Sequence, residues 1–66
     1  MNNHWRIKRL YKKLDKVIIK SRNNIIGIVE DVIYEAVNGK RTDNIYAYVV
    51  TIGDKHGILV YPDEID

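Results

Sequence analysis

Apolar and polar positions alternate most clearly through residues 15–29, Asp-Lys-Val-Ile-Ile-Lys-Ser-Arg-Asn-Asn-Ile-Ile-Gly-Ile-Val. Three adjacent β-branched residues, Val17, Ile18 and Ile19, are each restricted at χ1 and favour a strand over a helix. Alternation places Val17 and Ile19 on one face and Lys16, Ile18 and Lys20 on the other. Ser21-Arg22-Asn23-Asn24 reads as a turn, because Asn tolerates positive φ and bonds its own backbone. The apolar pattern resumes at Ile25, and Gly27 within it signals a bulge or a close backbone approach.

The same pattern extends in both directions. Ile7, Leu10, Tyr11 and Leu14 follow i, i+3, i+4, i+7 spacing, which predicts an amphipathic helix over residues 1–14, capped by Asn2 or Asn3. Its apolar stripe is expected to close one end of a small barrel. A competing reading makes residues 5–10 a strand, since Trp5, Ile7 and Arg9 also alternate. Residues 25–37 are long for one strand, and the break at Glu30-Asp31 predicts a bulge. Asn38-Gly39 is a type I′ hairpin dipeptide, with residues 40–44 extending it into a charged tip. Residues 45–52 form the strongest strand, with Tyr46, Tyr48, Val50 and Ile52 on one face. The other face, Ile45, Ala47, Val49 and Thr51, is also largely apolar, which predicts a central strand covered on both sides, with the N-terminal helix as a candidate cover. Residues 53–57 make a second glycine-flanked turn, and 58–61 a short strand. Pro62 has no N–H and ends that strand, so residues 62–65 read as a 3₁₀ turn that folds Ile65 back onto the core.

The expected core is Val17, Ile19, Ile26 or Ile28, Val29, Ile33, Tyr48, Val50, Leu59 or Val60, and Ile65, with Leu10 and Leu14 from the helix. A 66-residue chain is one domain that buries only about 60% of its unfolded surface. It has no cysteine, which excludes a disulfide framework and a thiolate metal site. No uncharged run is long enough to span a bilayer, and no apolar stretch follows the basic start as a signal peptide requires. A soluble, cytoplasmic protein is the expectation, as a monomer or a weak homodimer paired through an edge strand.

Net charge is only +2, but it is lopsided. Residues 1–22 carry Arg6, Lys8, Arg9, Lys12, Lys13, Lys16, Lys20 and Arg22 against Asp15 alone, eight bases to one acid and a balance of +7. Residues 23–66 carry three bases and eight acids, a balance of −5. Such asymmetry points to an anionic partner, or to the basic segment lying on the acidic remainder of its own domain.

Catalytic chemistry finds little to stand on. His4 and His56 sit in a terminal segment and a turn, as solvated polar residues. Glu30-Asp31 and Asp63-Glu64 are adjacent pairs, and neighbours on a strand point to opposite faces, so neither makes a dyad by spacing. The four glycines are scattered at turns and form no phosphate loop. No enzyme activity, cofactor or metal is expected.

The order Asp15-x-Val17-x-Ile19, a turn, Gly27-x-Val29, a hairpin, a Tyr/Val strand, a tight turn and Tyr61-Pro62-Asp63-Glu64-Ile65 resembles the small SH3-like barrels of bacteria and phages. Many of these open with D-x-V-x-I, carry G-x-V in the second strand and close with Y-P-x-E-L. The resemblance covers about residues 15–66. It implies a mainly β fold, a five-stranded SH3-like barrel, preceded here by the basic helix of residues 1–14. The opening is also similar to the KOW type of ribosomal and transcription-factor barrels, although the stretch between Ile19 and Gly27 is shorter and lacks the KOW glycines. The aromatic and acidic loop motifs of the eukaryotic peptide-binding SH3 groove are not evident. In style the chain looks like accessory proteins of phages of low-GC Gram-positive bacteria.

Two functions follow as expectations. The first is a non-enzymatic accessory module whose barrel contacts a host or phage protein. The second is a nucleic-acid-binding protein using the basic segment, with Trp5 or Tyr11 stacking on unpaired bases. The candidate contact residues are Trp5, Arg6, Lys8, Arg9, Lys12, Lys13, Lys16, Lys20 and Arg22, with Lys40 and Arg41 at the hairpin tip.

Overall fold

The structure is a computed structural model that describes residues 10–65. Four strands, β1 (Lys16–Ile19), β2 (Ile25–Val37), β3 (Lys40–Ile52) and β4 (Lys55–Val60), form one antiparallel meander in the order β1-β2-β3-β4. Two short 3₁₀ turns, Lys20–Arg22 and Pro62–Glu64, follow β1 and β4.

This corrects the expected fold. Among the described residues there is no helix beyond the two 3₁₀ turns, there are four strands rather than five, and the sheet does not close into a barrel. After β4, Pro62 diverts the chain into its 3₁₀ turn. Only Ile65 then reaches β1, through a single bridge to Ile19, so no fifth strand forms.

Most of the expected N-terminal helix, including the competing strand reading at Trp5 and Arg9, lies outside the described residues. Its last turn does not form. Leu10 and Leu14, placed on the buried stripe by spacing, are 71% and 82% exposed. Leu14 sits at φ 76°, in the left-handed region. The cause is tertiary: Leu14 N donates to Val29 O at 2.8 Å and Val29 N donates to Asp15 O at 2.9 Å. The chain approaching β1 therefore hydrogen-bonds to β2 instead of to itself. A left-handed conformation costs a leucine roughly 1–2 kcal/mol. Leu14→Gly is accordingly expected to raise stability, by up to about 1 kcal/mol in a urea melt once the extra entropy of glycine in the unfolded chain is counted. In a helix the same change would lower stability.

The local readings of the sheet hold better. Asn38 and Gly39 have φ of 52° and 79°, and Val37 pairs with Lys40, so they form the two-residue turn with positive φ at both centres. The expected charged tip is shorter than predicted, because β3 already begins at Lys40. Residues 42–44 bulge instead, braced by Thr42 Oγ1 donating to Glu35 O at 3.0 Å and Asn44 N donating to Thr42 Oγ1 at 3.2 Å. β2 runs unbroken through Glu30, and the register steps from Val29↔Val50 to Asp31↔Val49, which is the expected bulge.

The core is Val17, Ile19, Val29, Tyr48, Val50, Val60 and Ile65, with Tyr11, Val32, Ile45, Ile52 and Ile58 packed around it. Ile26 and Ile28, alternatives for one core position, both face outward. The inward position between them is Gly27, since a Cβ there would lie 2.4 Å from Val50 Cγ1. Ile33 is also outside the core, at 37% exposed. On β3 the alternation breaks at Tyr46, because a register shift takes Ile33↔Ala47 to Tyr34↔Ile45. Tyr46 is 48% exposed and Ala47 is fully buried. The second face of β3 carries no helix among the described residues, and Val49 and Thr51 there are half-buried.

Candidate functional site

The structure separates the predicted contact residues. Trp5, Arg6, Lys8 and Arg9 lie outside the described residues. Lys12 and Lys13 are exposed in the segment entering β1, and Lys12 is tied to Asp15 by a 2.9 Å bond from its own N–H and a 3.7 Å ion pair from Nζ. Lys16 opens β1, opposite Ile28, and Lys20 and Arg22 lie in the 3₁₀ turn that follows. All three are exposed and belong to one end of the sheet. Lys40 and Arg41 belong to the other. Between Ile28 and Val37, β2 advances nine residues, about 30 Å at the rise of a strand. Arg41 is engaged there, its guanidinium 4.4 Å from the centre of the Tyr34 ring. Tyr11 packs against the core: its ring lies nearly perpendicular to the buried Tyr48 ring, centres 5.9 Å apart at 74°, and its N–H donates to the Tyr48 hydroxyl at 3.3 Å.

Beside the surviving basic group lies a surface that sequence reasoning did not single out. Ile18 of β1 pairs with Ile26 of β2, and Ile28 lies two residues further along, opposite Lys16. Cross-strand partners bring their Cβ atoms to about 5 Å, so the three side chains share one outer patch. They are 42%, 60% and 40% exposed. Val17, Ile19, Gly27 and Val29 between them point inward and are buried. The alternation that fills the core therefore drives the intervening isoleucines to the opposite face. That signal was present in the sequence. What it lacked was knowledge that no described element packs over that face.

A second constellation borders this patch across Thr51, the β3 partner of Ile28. The Glu30 carboxylate, turned out by the β2 bulge, accepts the Thr51 hydroxyl and, at 3.2 Å, the Gly57 N–H. Thr51 Oγ1 lies 3.1 Å from His56 Nδ1, which is itself 3.5 Å from Glu30 Oε2. Gly57 sits at φ 71° where β4 gains an extra residue against β3, and that conformation aims its N–H at β2. The trio has the residue types of a nucleophile–base–acid relay but not its wiring. A relay uses one ring nitrogen of the histidine for the acid and the other for the hydroxyl. Here Nδ1 faces both. The cluster instead knits the bulges of β2 and β4 across β3. His56 is thus not the isolated turn residue that the sequence implied. Asp31, adjacent to Glu30, accepts the Val32 N–H at 2.9 Å and takes no part.

Glu64 plays a similar role beside Lys20 and Arg22. It accepts Ser21 Oγ at 2.6 Å and the Tyr61 N–H at 2.8 Å, joining the two 3₁₀ turns. The Thr51 hydroxyl and then the Gly57 N–H hold the Glu30 carboxyl below its ordinary value of 4.5, with His56 adding to them against a smaller cost of burial. Ser21, then the Tyr61 N–H, with a further contribution from Arg22, lower Glu64 in the same way. Both carboxyls bind protons more weakly folded than unfolded. Their contribution to stability is therefore complete above the ordinary carboxyl value and is lost as pH falls through the lower folded values. The melting temperature is expected to drop on acidification below about pH 4.5. Thr51→Val should lower it at neutral pH and flatten the acid limb, which a series of thermal melts will show.

Tyr61 completes an exposed pair with Tyr46, ring centres 5.5 Å apart and nearly perpendicular. The hydroxyl bond to Tyr46 raises the Tyr61 phenol above its ordinary value of 10.0. Among the described residues no three His, Cys, Asp or Glu side chains gather as a metal site requires, and no helix is long and apolar enough to cross a membrane.

Compared with known proteins, the chain matches no family model, no curated protein and no solved structure.

Proposed function

We propose that this chain is a non-enzymatic accessory module that binds another protein through the outer face of β1 and β2. The observation that carries this reading is the register of Ile18, Ile26 and Ile28 on one exposed face. Contiguous exposed apolar side chains rimmed by polar ones mark association surfaces, whereas scattered single ones do not. A protein of this size gains stability from each isoleucine it buries, so three left half-exposed in one patch favour a contact outside the chain.

The nucleic-acid reading draws on Lys16, Lys20 and Arg22 at the same end of the sheet. It loses Lys40 and Arg41 to the far end, and Tyr11 to packing against Tyr48. Ile26→Asp tests the leading reading. Ile26 is the most exposed of the three, so the change should cost only about 1 kcal/mol of stability. The expected result is a folded variant, judged by its amide spectrum, that fails to retain a protein captured by the unchanged chain from a lysate. Retention of the same proteins by both chains sinks the proposal. Salt-sensitive amide shifts on adding duplex or single-stranded DNA or RNA, confined to Lys12–Arg22, would favour nucleic acid instead.

A further inference from the structure

We infer that the segment docking on the Ile18–Ile26–Ile28 face is a protein segment with an apolar centre and an acidic rim. This rests on the protein-binding reading above and adds the chemistry of the partner. The argument is the sign of the charges around the patch. Over residues 10–28 the chain carries Lys12, Lys13, Lys16, Lys20 and Arg22 against Asp15 alone, five bases to one acid. Lys16 shares the outer face with the isoleucines, opposite Ile28, and Lys20 immediately follows the β1 residue Ile19. The acids on this side are already engaged: Asp15 takes both the N–H and the ammonium of Lys12, and Glu64 accepts Ser21 Oγ and the Tyr61 N–H. The acids beyond the patch are likewise engaged within the sheet, Glu30 by Thr51 and Gly57, and Asp31 by the Val32 N–H.

A partner covering three isoleucines must also meet the Lys16 and Lys20 ammonium groups at its edge, Lys12 being paired with Asp15. A basic rim sets like charges against each other, and a neutral one strips water from them without replacement. An acidic rim supplies charge-assisted hydrogen bonds at the perimeter while the centre stays dry. The other occupants fit less well. A two-fold contact with a second copy of the same patch would bring the same lysines together. A nucleic acid surface is polar and offers the isoleucines nothing apolar of comparable area. Membrane-surface elements present Trp, Phe or Leu from an amphipathic helix, whereas these isoleucines lie between strands of a pleated sheet.

The test is an amide NMR titration of the isotope-labelled full chain. The probes are a designed amphipathic peptide with leucines on one face and glutamates elsewhere, and its counterpart with every glutamate changed to lysine. Single-stranded and duplex DNA, and vesicles of phosphatidylcholine and phosphatidylserine, complete the set. The acidic peptide is expected to shift the amides of Lys16–Ile19 and Ile25–Ile28. Lys16→Glu with Lys20→Glu should weaken it by about tenfold, and Ile26→Asp should abolish it. Ile26→Thr, which keeps the β-branch, replaces Ile26→Asp if that variant loses its amide dispersion. Equal shifts from the lysine peptide overturn the charge inference and leave the protein-binding reading standing. So does silence from both peptides while lysate capture still depends on Ile26. Shifts on this face from DNA or vesicles at concentrations below those of the acidic peptide overturn the inference in favour of that ligand. If lysate capture is indifferent to Ile26→Asp, it is the protein-binding reading itself that has failed.

Discussion

Gly27→Val is expected to leave the domain largely unfolded at room temperature, and Gly27→Ala to cost about 1–3 kcal/mol. A Cβ at residue 27 would lie 2.4 Å from Val50 Cγ1, 3.2 Å from Ile19 Cδ1 and 3.3 Å from the Thr51 carbonyl oxygen. None of these neighbours yields cheaply. Val50 and Ile19 are fully buried. Valine is stiff at χ1, so its methyl cannot swing away as the end of a longer side chain would. The carbonyl belongs to the β2–β3 ladder. Relief requires β2 and β3 to separate where they hold the centre of the core. Against this, alanine gains roughly 0.4–1 kcal/mol by restricting the unfolded chain, too little to offset the clash. In a domain of this size each 1 kcal/mol moves the melting temperature by about 4–8 °C. Thermal melts of the glycine, alanine and valine forms should therefore separate clearly. Gly27→Ala combined with Val50→Ala should be less destabilised than the sum of the two changes, because the second removes the methyl that the first strikes. Strict additivity would show that the strands part at this point instead of clashing.

Gly27 also shows which features of this fold were legible. A glycine inside an apolar alternation signals close approach, and the structure supplies the atom it approaches. Asn38-Gly39, the irregularity at Glu30 and the stop at Pro62 were legible for the same reason: each is a local conformational demand written in one or two residues. Val17, Ile19, Val29 and Val50 were legible because period-two burial needs no knowledge of distant partners. The failures are non-local. The spacing of Leu10, Tyr11 and Leu14 fits a helix, but the N–H of Leu14 bonds to Val29, fifteen residues away, and periodicity carries no trace of that bond. Closure of a barrel depends on how far each strand runs, and a fifth strand was lost once Pro62 confined the chain to one bridge. The site divides in the same way. The basic residues were legible as charges, but not their partition between the two ends of the sheet. The link of Glu30, Thr51 and His56 joins three strands and left no local signature.

Tyr48→Ala is expected to be the most damaging single truncation, at about 3–5 kcal/mol, enough to unfold the domain. Tyr48 is the largest fully buried side chain, at 1% exposed. It stands on the inner face, next to Val60 on β4 and Val32 on β2 in the ladder, and its ring packs nearly perpendicular to that of Tyr11. Removing it opens a cavity bounded by β-branched residues that have few rotamers with which to fill it. Tyr48→Phe separates packing from polarity. It keeps the ring and deletes only the hydroxyl that accepts the Tyr11 N–H at 3.3 Å, a loss of about 1 kcal/mol. Its amide changes should be confined to Tyr11 and its neighbours, with the sheet intact. Urea melts followed by far-ultraviolet circular dichroism will place the two variants. Equal losses in both would mean that the hydroxyl, rather than the ring, holds the entering segment and the core together. The contrast with Ile26→Asp then becomes a test of the sheet's two-sidedness. Tyr48 and Ile26 are residues of the same sheet on opposite faces. A protein that loses its fold at Tyr48 but only its partner at Ile26 keeps its stability on one face and its contact surface on the other.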